Sequence, residues 1–248
     1  MRRGLRERSL RRMDEIAAYY AGQDGVLAVA AFGSNAERER FDDSSDLDFL
    51  VFAEADAKAH LLSRVEELAR LGEIDALRVV YGDAVQLLYS DGVLCDFGII
   101  TPEQLETFPH GAGRYLWRRE TWEPIDLSAL EPARKSAQEL QEDVLFHLYT
   151  GLLHLRRGEE AAAFEEIQVK AAQCVLALLQ GDSADAFSPL RHAEQTTPPE
   201  VLQRLLPGYG KTREAAKTVL QVLSEVRGLP LYRAAQGLLD VSRKQKAE

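Results

Sequence analysis

The 248-residue chain is short of several things. It has two cysteines, Cys95 and Cys174, each inside an apolar segment with no CxxC pattern or Cys/His cluster nearby. That usage argues against a disulfide or zinc site and reads as buried thiols in a reducing cytoplasm. No apolar run approaches the roughly 20 residues a membrane helix needs, so no membrane partner is expected. The opening stretch, MRRGLRERSLRRMDE, is basic, but no apolar signal core follows it, so secretion is not expected. Positive charge is scarce overall: 30 Lys and Arg against 40 Asp and Glu leave a net charge of −10. Proteins that track a phosphate backbone carry a basic footprint, so nucleic acid is not the expected partner. The acidic balance suits a cationic small molecule instead. Internal repeats and low-complexity segments are absent as well.

What is present is an ordinary globular composition, 46% hydrophobic and 28% charged, long enough for two modest domains. The pattern changes near residue 124. In the first half, the basic start forms one face of a helix whose apolar stripe is Met13, Ile16, Ala17 and Tyr20. Strand-like runs follow at 25–32, 46–52, 76–81, 84–89 and 93–100, with a helical pattern over 55–71. Ser90-Asp91-Gly92 reads as a hairpin turn. The segment 122–132 is a connector with two prolines. Helical periodicity then takes over, at about 133–157, 159–180, a short helix near Pro199, 211–227 and 230–244. The expected fold class is α+β: an N-terminal mixed sheet with helices over 1–123, then an all-α helical bundle over 124–248.

The chemistry concentrates in GSNAERERFDDSSDLDFLVF, residues 33–52. Side chains alternate along a strand, so Asp46 and Asp48 share a face while Leu47 and Phe49 point into the core. Two carboxylates that close are costly unless a positive group lies between them, and a divalent metal resolves the conflict. Mg²⁺ takes oxygen ligands, commonly one or two carboxylates plus substrate phosphates. Asp96, inside the apolar VLCDFGII, is expensive to bury alone and joins the cluster if its strand lies beside 46–52. Gly33-Ser34 follows a buried strand. Glycine lets a phosphate approach the backbone, and the N–H groups and the Ser34 hydroxyl can donate to it. Residues 35–40 suggest a short helix, with Arg38 and Arg40 as further phosphate contacts. A plainer reading exists for each part. Ser34 to Glu37 is also a capping box, Asp46 a turn residue, and Asp42 and Asp43 solvated loop charges.

Taken together, Gly33-Ser34, Asp46-Leu47-Asp48 between apolar residues and the later Asp96 resemble the DNA polymerase β-type nucleotidyltransferase superfamily, over about residues 25–100. The antibiotic branch, the lincosamide and aminoglycoside nucleotidyltransferases, is the most similar, because a compact N-terminal domain precedes a helical one of matching size. One departure is that Asn35 to Arg38 stand where many members carry another glycine. The resemblance implies a catalytic domain over 1–123 and an acceptor-binding domain over 124–248. It implies that Asp46 and Asp48 hold Mg²⁺ on the nucleotide, and that Asp96 is either a third ligand or the base on the acceptor hydroxyl. ATP is the implied donor and a small-molecule hydroxyl the acceptor, bound in a cleft that a homodimer partner completes in some relatives. A protein or tRNA end as acceptor, as in toxin–antitoxin adenylyltransferases, is an alternative, and a non-catalytic nucleotide-binding module another.

Elsewhere the plain readings dominate. Glu142 and Asp143 suit a solvent-facing helix surface. His147 and His154 share a helix face without a third ligand. Tyr115, Trp117 and Trp122 suit packing near the domain junction. Gly208 to Thr212 lacks P-loop spacing and a preceding strand, and reads as a helix connector.

Overall fold

The computed structural model describes residues 4–37, 39–226 and 228–244. The chain divides into two compact units, Met1–Pro132 and Ala133–Glu248. The first is a six-stranded mixed sheet with helices and the second is helical, which is the α+β class.

In the first unit, helix α1 (Leu5–Ala21) leads into β1 (Val26–Ala31), a run of six buried residues. A 3₁₀ turn (Gly33–Asn35) and a loop then precede β2 (Leu47–Ala53). Helix α2 (Ala55–Ser63) and a 3₁₀ segment (Val65–Leu71) follow. The single helix expected over 55–71 is therefore interrupted at Arg64, whose guanidinium clasps Glu67 through Nε at 2.6 Å and Nη2 at 2.9 Å. Strands β3 (Ile74–Val80), β4 (Ala84–Tyr89) and β5 (Leu94–Ile100) form an antiparallel meander. After the one-turn α3 (Pro102–Leu105) comes β6 (Arg114–Arg118), a strand the sequence pattern did not reveal. The sheet order is β3-β4-β5-β2-β1-β6. Among the described residues, only β2 and β5 pair in parallel.

Strand alternation gives the sheet two apolar faces. Val29, Phe49, Val51, Cys95, Phe97 and Ile99 pack with Met13, Ile16 and Tyr20 of α1. On the other face, Ala28, Ala30, Leu50, Phe52 and Ile100 are covered by Leu105, Trp122, Ile125 and Leu127. The connector expected at 122–132 is thus an extended strap of the first unit. Gly113 N–H donates to the Leu127 carbonyl at 2.8 Å, and the His110 and Leu130 backbones exchange two bonds.

The second unit comprises α4 (Ala137–Arg157), a helix over 160–180, α7 (Ala193–Thr196), α8 (Pro199–Leu205), α9 (Thr212–Val222) and α10 (Pro230–Lys244). The start of α4 is set by a capping box. The Ser136 hydroxyl accepts from Glu139 N–H, and the Glu139 carboxylate accepts from Ser136 N–H. The helix over 160–180 runs as α5 (Glu160–Phe164), a π-helical segment (Glu165–Ala171) and α6 (Ala172–Gln180). In this helix Gln168 is buried while the apolar Phe164, Cys174 and Leu178 are only half-buried. Gly151 of α4 lies where a Cβ would come within 2.5 Å of Ile167 Cγ1, so only glycine permits this helix approach. Gln168 also ties down the 208–212 connector, donating to the Gly208 carbonyl and accepting its N–H at 3.0 and 2.9 Å. Among the described residues, no helix is long and apolar enough to cross a membrane.

Arg12 of α1 is buried, with its guanidinium 3.9 Å from the Tyr89 ring centroid and ion pairs to Glu15 (3.0 Å) and Asp91 (3.2 Å). Removing one partner leaves a desolvated cation under-compensated. Asp91→Ala is expected to cost about 1–2 kcal/mol, because Asp91 itself is partly exposed, and urea unfolding measures it. Cys95 is fully buried, and burial pushes its thiol up to about 12. A thiol reagent at pH 8 is expected to label Cys95 only once denaturant is added, whereas the half-buried Cys174 reacts in the native protein.

Candidate active site

Everything in the candidate site lies in the first unit. Strands β2 and β5 pair so that Asp48 stands directly opposite Asp96, with Leu47 opposite Cys95 and Phe49 opposite Phe97. Residues opposite each other in register share a face, so both carboxylates rise from the same side of the sheet. This is the adjacency that the apolar surroundings of Asp96 require. Both residues are half-buried. Phe49 and Phe97 point the other way and stack at 4.5 Å with an interplanar angle of 8°. Asp46 lies just before β2 rather than within it.

The Gly33–Asn35 turn packs against this pair. Phe32 N–H donates to the Asp48 carbonyl at 2.9 Å. Gly33 has φ +57°, and a Cβ there would fall 2.8 Å from Asp48 Oδ2. A side chain at 33 would therefore strain the backbone and meet the carboxylate, so glycine has two independent reasons to be here. Buried Asn35 donates from Nδ2 to the carbonyls of Asp46 (2.9 Å) and Asp48 (3.5 Å), fixing the turn to the entry of β2. The capping box expected at Ser34 does not form. The cap position is Phe32, and Glu37 pairs with Arg40 at 3.3 Å. Among the described residues of 35–40 no helix forms; the chain makes a 3₁₀ turn at Gly33–Asn35, with Gly33 exposed and Ser34 half-exposed. Arg38 lies outside the described residues.

Beside the turn is a pocket of about 540 Å³ lined by Ala36, Glu37, Glu39, Arg40 and Arg114. Arg114 heads β6 opposite Ala31 and donates from Nη2 to the Asn35 carbonyl at 3.2 Å. Sequence reading missed it, because β6 is five residues long and its alternation is too brief to register; the basic heads of RYLWR were the available signal. The loop before β2 is held from α1. Arg6 N–H donates to Asp43 Oδ1 at 2.7 Å, and Arg6 Nε to the Phe41 carbonyl at 2.9 Å. Asp42 closes the loop internally. The Ser44 N–H, then the Ser45 hydroxyl, stabilise its carboxylate and hold it below the usual range. Asp42 and Asp43 thus organise the loop.

Asp96 is gripped from its other flank. Gln86 of β4, directly opposite, donates from Nε2 to Asp96 Oδ2 at 2.9 Å. Arg78 of β3, opposite Gln86, donates from Nε to Gln86 Oε1 at 2.7 Å. A row therefore crosses the sheet from Arg78 through Gln86, Asp96 and Asp48 to the Gly33 turn.

The donor set of Asp46, Asp48 and Asp96 is all carboxylate oxygen, which fits a hard divalent cation rather than a soft one. Among the described residues, no three His, Cys, Asp or Glu side chains are gathered closely enough to enclose a metal ion by themselves. A site that shares its ion with substrate phosphates needs fewer protein ligands.

The remaining candidates are engaged locally. Tyr115 OH donates to the Ile125 carbonyl, and Trp122 stacks on Phe52 at 6.1 Å. Trp117 packs against the α1 face of the sheet. In the second unit, His147 contacts Glu166 at 2.8 Å and His154 contacts Glu159. Asp143 pairs with Lys135, and Glu142 accepts from Gln138.

The arrangement is that of an α+β protein whose sheet presents paired carboxylates next to a left-handed glycine turn. No protein-family model matches the chain, and no curated protein matches it. Solved structures similar to it include an aminoglycoside 6-adenyltransferase from Bacillus subtilis, 11% identical with a TM-score of 0.32, covering 92% of this chain and 90% of that one. A nucleotidyltransferase-like protein from Exiguobacterium sibiricum is 12% identical with a TM-score of 0.36, covering 96% and 80%. The Thermotoga maritima CCA-adding enzyme complexed with tRNA is 14% identical with a TM-score of 0.38, covering 95% and 69%.

Gly33→Ala is expected to lower stability by about 1–2 kcal/mol through its positive φ and to displace the Asp48 carboxylate. A thermal melt measures the first effect.

Proposed function

We propose that the first unit transfers a nucleoside monophosphate, AMP from ATP, onto a hydroxyl of a small molecule such as an aminoglycoside or lincosamide. The observation that carries this reading is the register that sets Asp48 opposite Asp96 beside the exposed Gly33 turn. The turn offers backbone N–H groups and the Ser34 hydroxyl to phosphate oxygens, with Arg40 and Arg114 lining the adjoining pocket. Asp46 and Asp48, with Asp96 as a third ligand or as the base, would hold Mg²⁺. When bound, the ion would neutralise phosphate charge and favour in-line displacement.

The acceptor oxygen forms a bond to the α-phosphorus, the α–β phosphoanhydride bond breaks, and pyrophosphate leaves. As base, Asp96 takes the acceptor's hydroxyl proton on a carboxylate oxygen, and its placement next to Asp48 supports that role. The net charge of −10 suits a cationic acceptor.

Radiolabelled ATP incubated with a panel of aminoglycosides and lincosamides tests the reading. Mg²⁺-dependent label on one acceptor is expected, with Asp48→Asn lowering the rate by roughly 100-fold or more. No transfer together with no calorimetric ATP binding would sink it. Label on macromolecules in lysate would move the acceptor to a protein or tRNA end. ATP·Mg²⁺ affinity unchanged by Asp48→Asn would leave only a nucleotide-binding module.

A further inference from the structure

We propose that Gln86 is a positioning residue for Asp96, and that Arg78 fixes the orientation in which Gln86 acts. The inference rests on the reading of Asp96 given under Proposed function and adds to it two residues on strands that carry none of the aspartates.

Arg78, Gln86 and Asp96 stand directly opposite one another on β3, β4 and β5. An amide can present either its oxygen or its NH₂ group to a neighbour. A guanidinium only donates, so Arg78 Nε at 2.7 Å requires the Gln86 oxygen on its side. The NH₂ group is thereby turned toward Asp96, where it meets Oδ2 at 2.9 Å. One carboxylate oxygen is anchored, and rotation about the Asp96 side chain is restrained. The other oxygen is left with a defined direction in which to meet a metal or an acceptor proton.

The intervening amide matters for charge as well as geometry. An arginine in direct contact with Asp96 would neutralise it by a bidentate ion pair. Here the cation is held one strand further away, and a neutral group delivers the hydrogen bond. Among the described residues, Asp96 is held by the neutral Gln86 amide rather than by a cation in contact. Arg78 is exposed and Gln86 half-buried, so the polarised amide is the part of the row set into the sheet.

A cross-strand pair can also serve the sheet alone, contributing a few tenths to about one kcal/mol without touching turnover. The test separates the two roles in the full-length protein. Gln86→Leu keeps similar bulk without the hydrogen bonds, and Arg78→Met keeps the aliphatic stem. With ATP, Mg²⁺ and whichever hydroxyl acceptor takes label from the wild type, Gln86→Leu is expected to lower kcat about tenfold at unchanged KM for ATP, the scale of one hydrogen bond to a charged group. Arg78→Met is expected to lower kcat less, and to add nothing in the Gln86→Leu background, because its effect passes through that amide. Without any nucleotide, the Gln86 side-chain amide protons in ¹⁵N-edited spectra are expected downfield of solvent-exposed glutamines and to return upfield in Asp96→Ala.

A wild-type kcat in Gln86→Leu, or Gln86 amide protons that ignore Asp96→Ala, overturns the inference while leaving nucleotidyl transfer intact. Additive losses in the double variant overturn the part assigned to Arg78. A wild-type protein that neither binds ATP nor labels any acceptor overturns the reading of the site, and the inference with it.

Discussion

The structure turns on the pairing of β2 with β5. It places two carboxylates opposite each other on strands about 4.8 Å apart. Like charges that share a face oppose each other unless a positive group lies between them. The opposite face supplies the restraint. Phe49 and Phe97, next in sequence to the two aspartates, stack flat in the core with α1. A slip of one residue would move these rings off the α1 face and set the carboxylates against the apolar stripe of α1. The packing on α1 therefore fixes the register in which the two carboxylates meet.

Around that pair, each neighbouring element constrains a different atom. The Gly33 turn limits what can stand against Asp48. Asn35 binds the turn to the start of β2, Arg114 binds Asn35 from β6, and Gln86 holds Asp96 from β4. All of these side chains sit on or beside regular structure, which is how a site gains directional precision. None is the reason the sheet forms. The apolar alternation of β1, β2, β4 and β5 does that, and the polar residues occupy positions it leaves open.

Much of this was legible in the sequence, for identifiable reasons. Long apolar runs and a turn glycine marked β1, β2, β4 and β5, and Asp96 betrayed itself by its apolar neighbours. The α+β class followed from the change of period near residue 124. The legible parts are those where one residue's chemistry conflicts with its local surroundings. Partnerships across strands were not legible, because Gln86 and Arg78 look like ordinary polar positions until register sets them opposite Asp96. Strand β6 was too short for its alternation to show. The break at Arg64 and the wide turn at Glu165–Ala171 came from side-chain pairing and helix packing that a linear period does not encode. Asp42 and Asp43 were read as solvated because their partners, two serines and an α1 backbone N–H, are turn and tertiary contacts.

The bond from the Arg6 backbone to Asp43 has a mechanical meaning. The first turn of a helix is where fraying starts, and Arg6 spends one of its otherwise orphaned N–H groups on the loop that leads to Asp46. The latch and the catch are thus different elements, and each borrows order from the other. When the first turn of α1 opens, the loop loses its outside support in the same event. Local opening at the start of the chain and local opening at the aspartates become one motion, although some forty residues separate them in sequence.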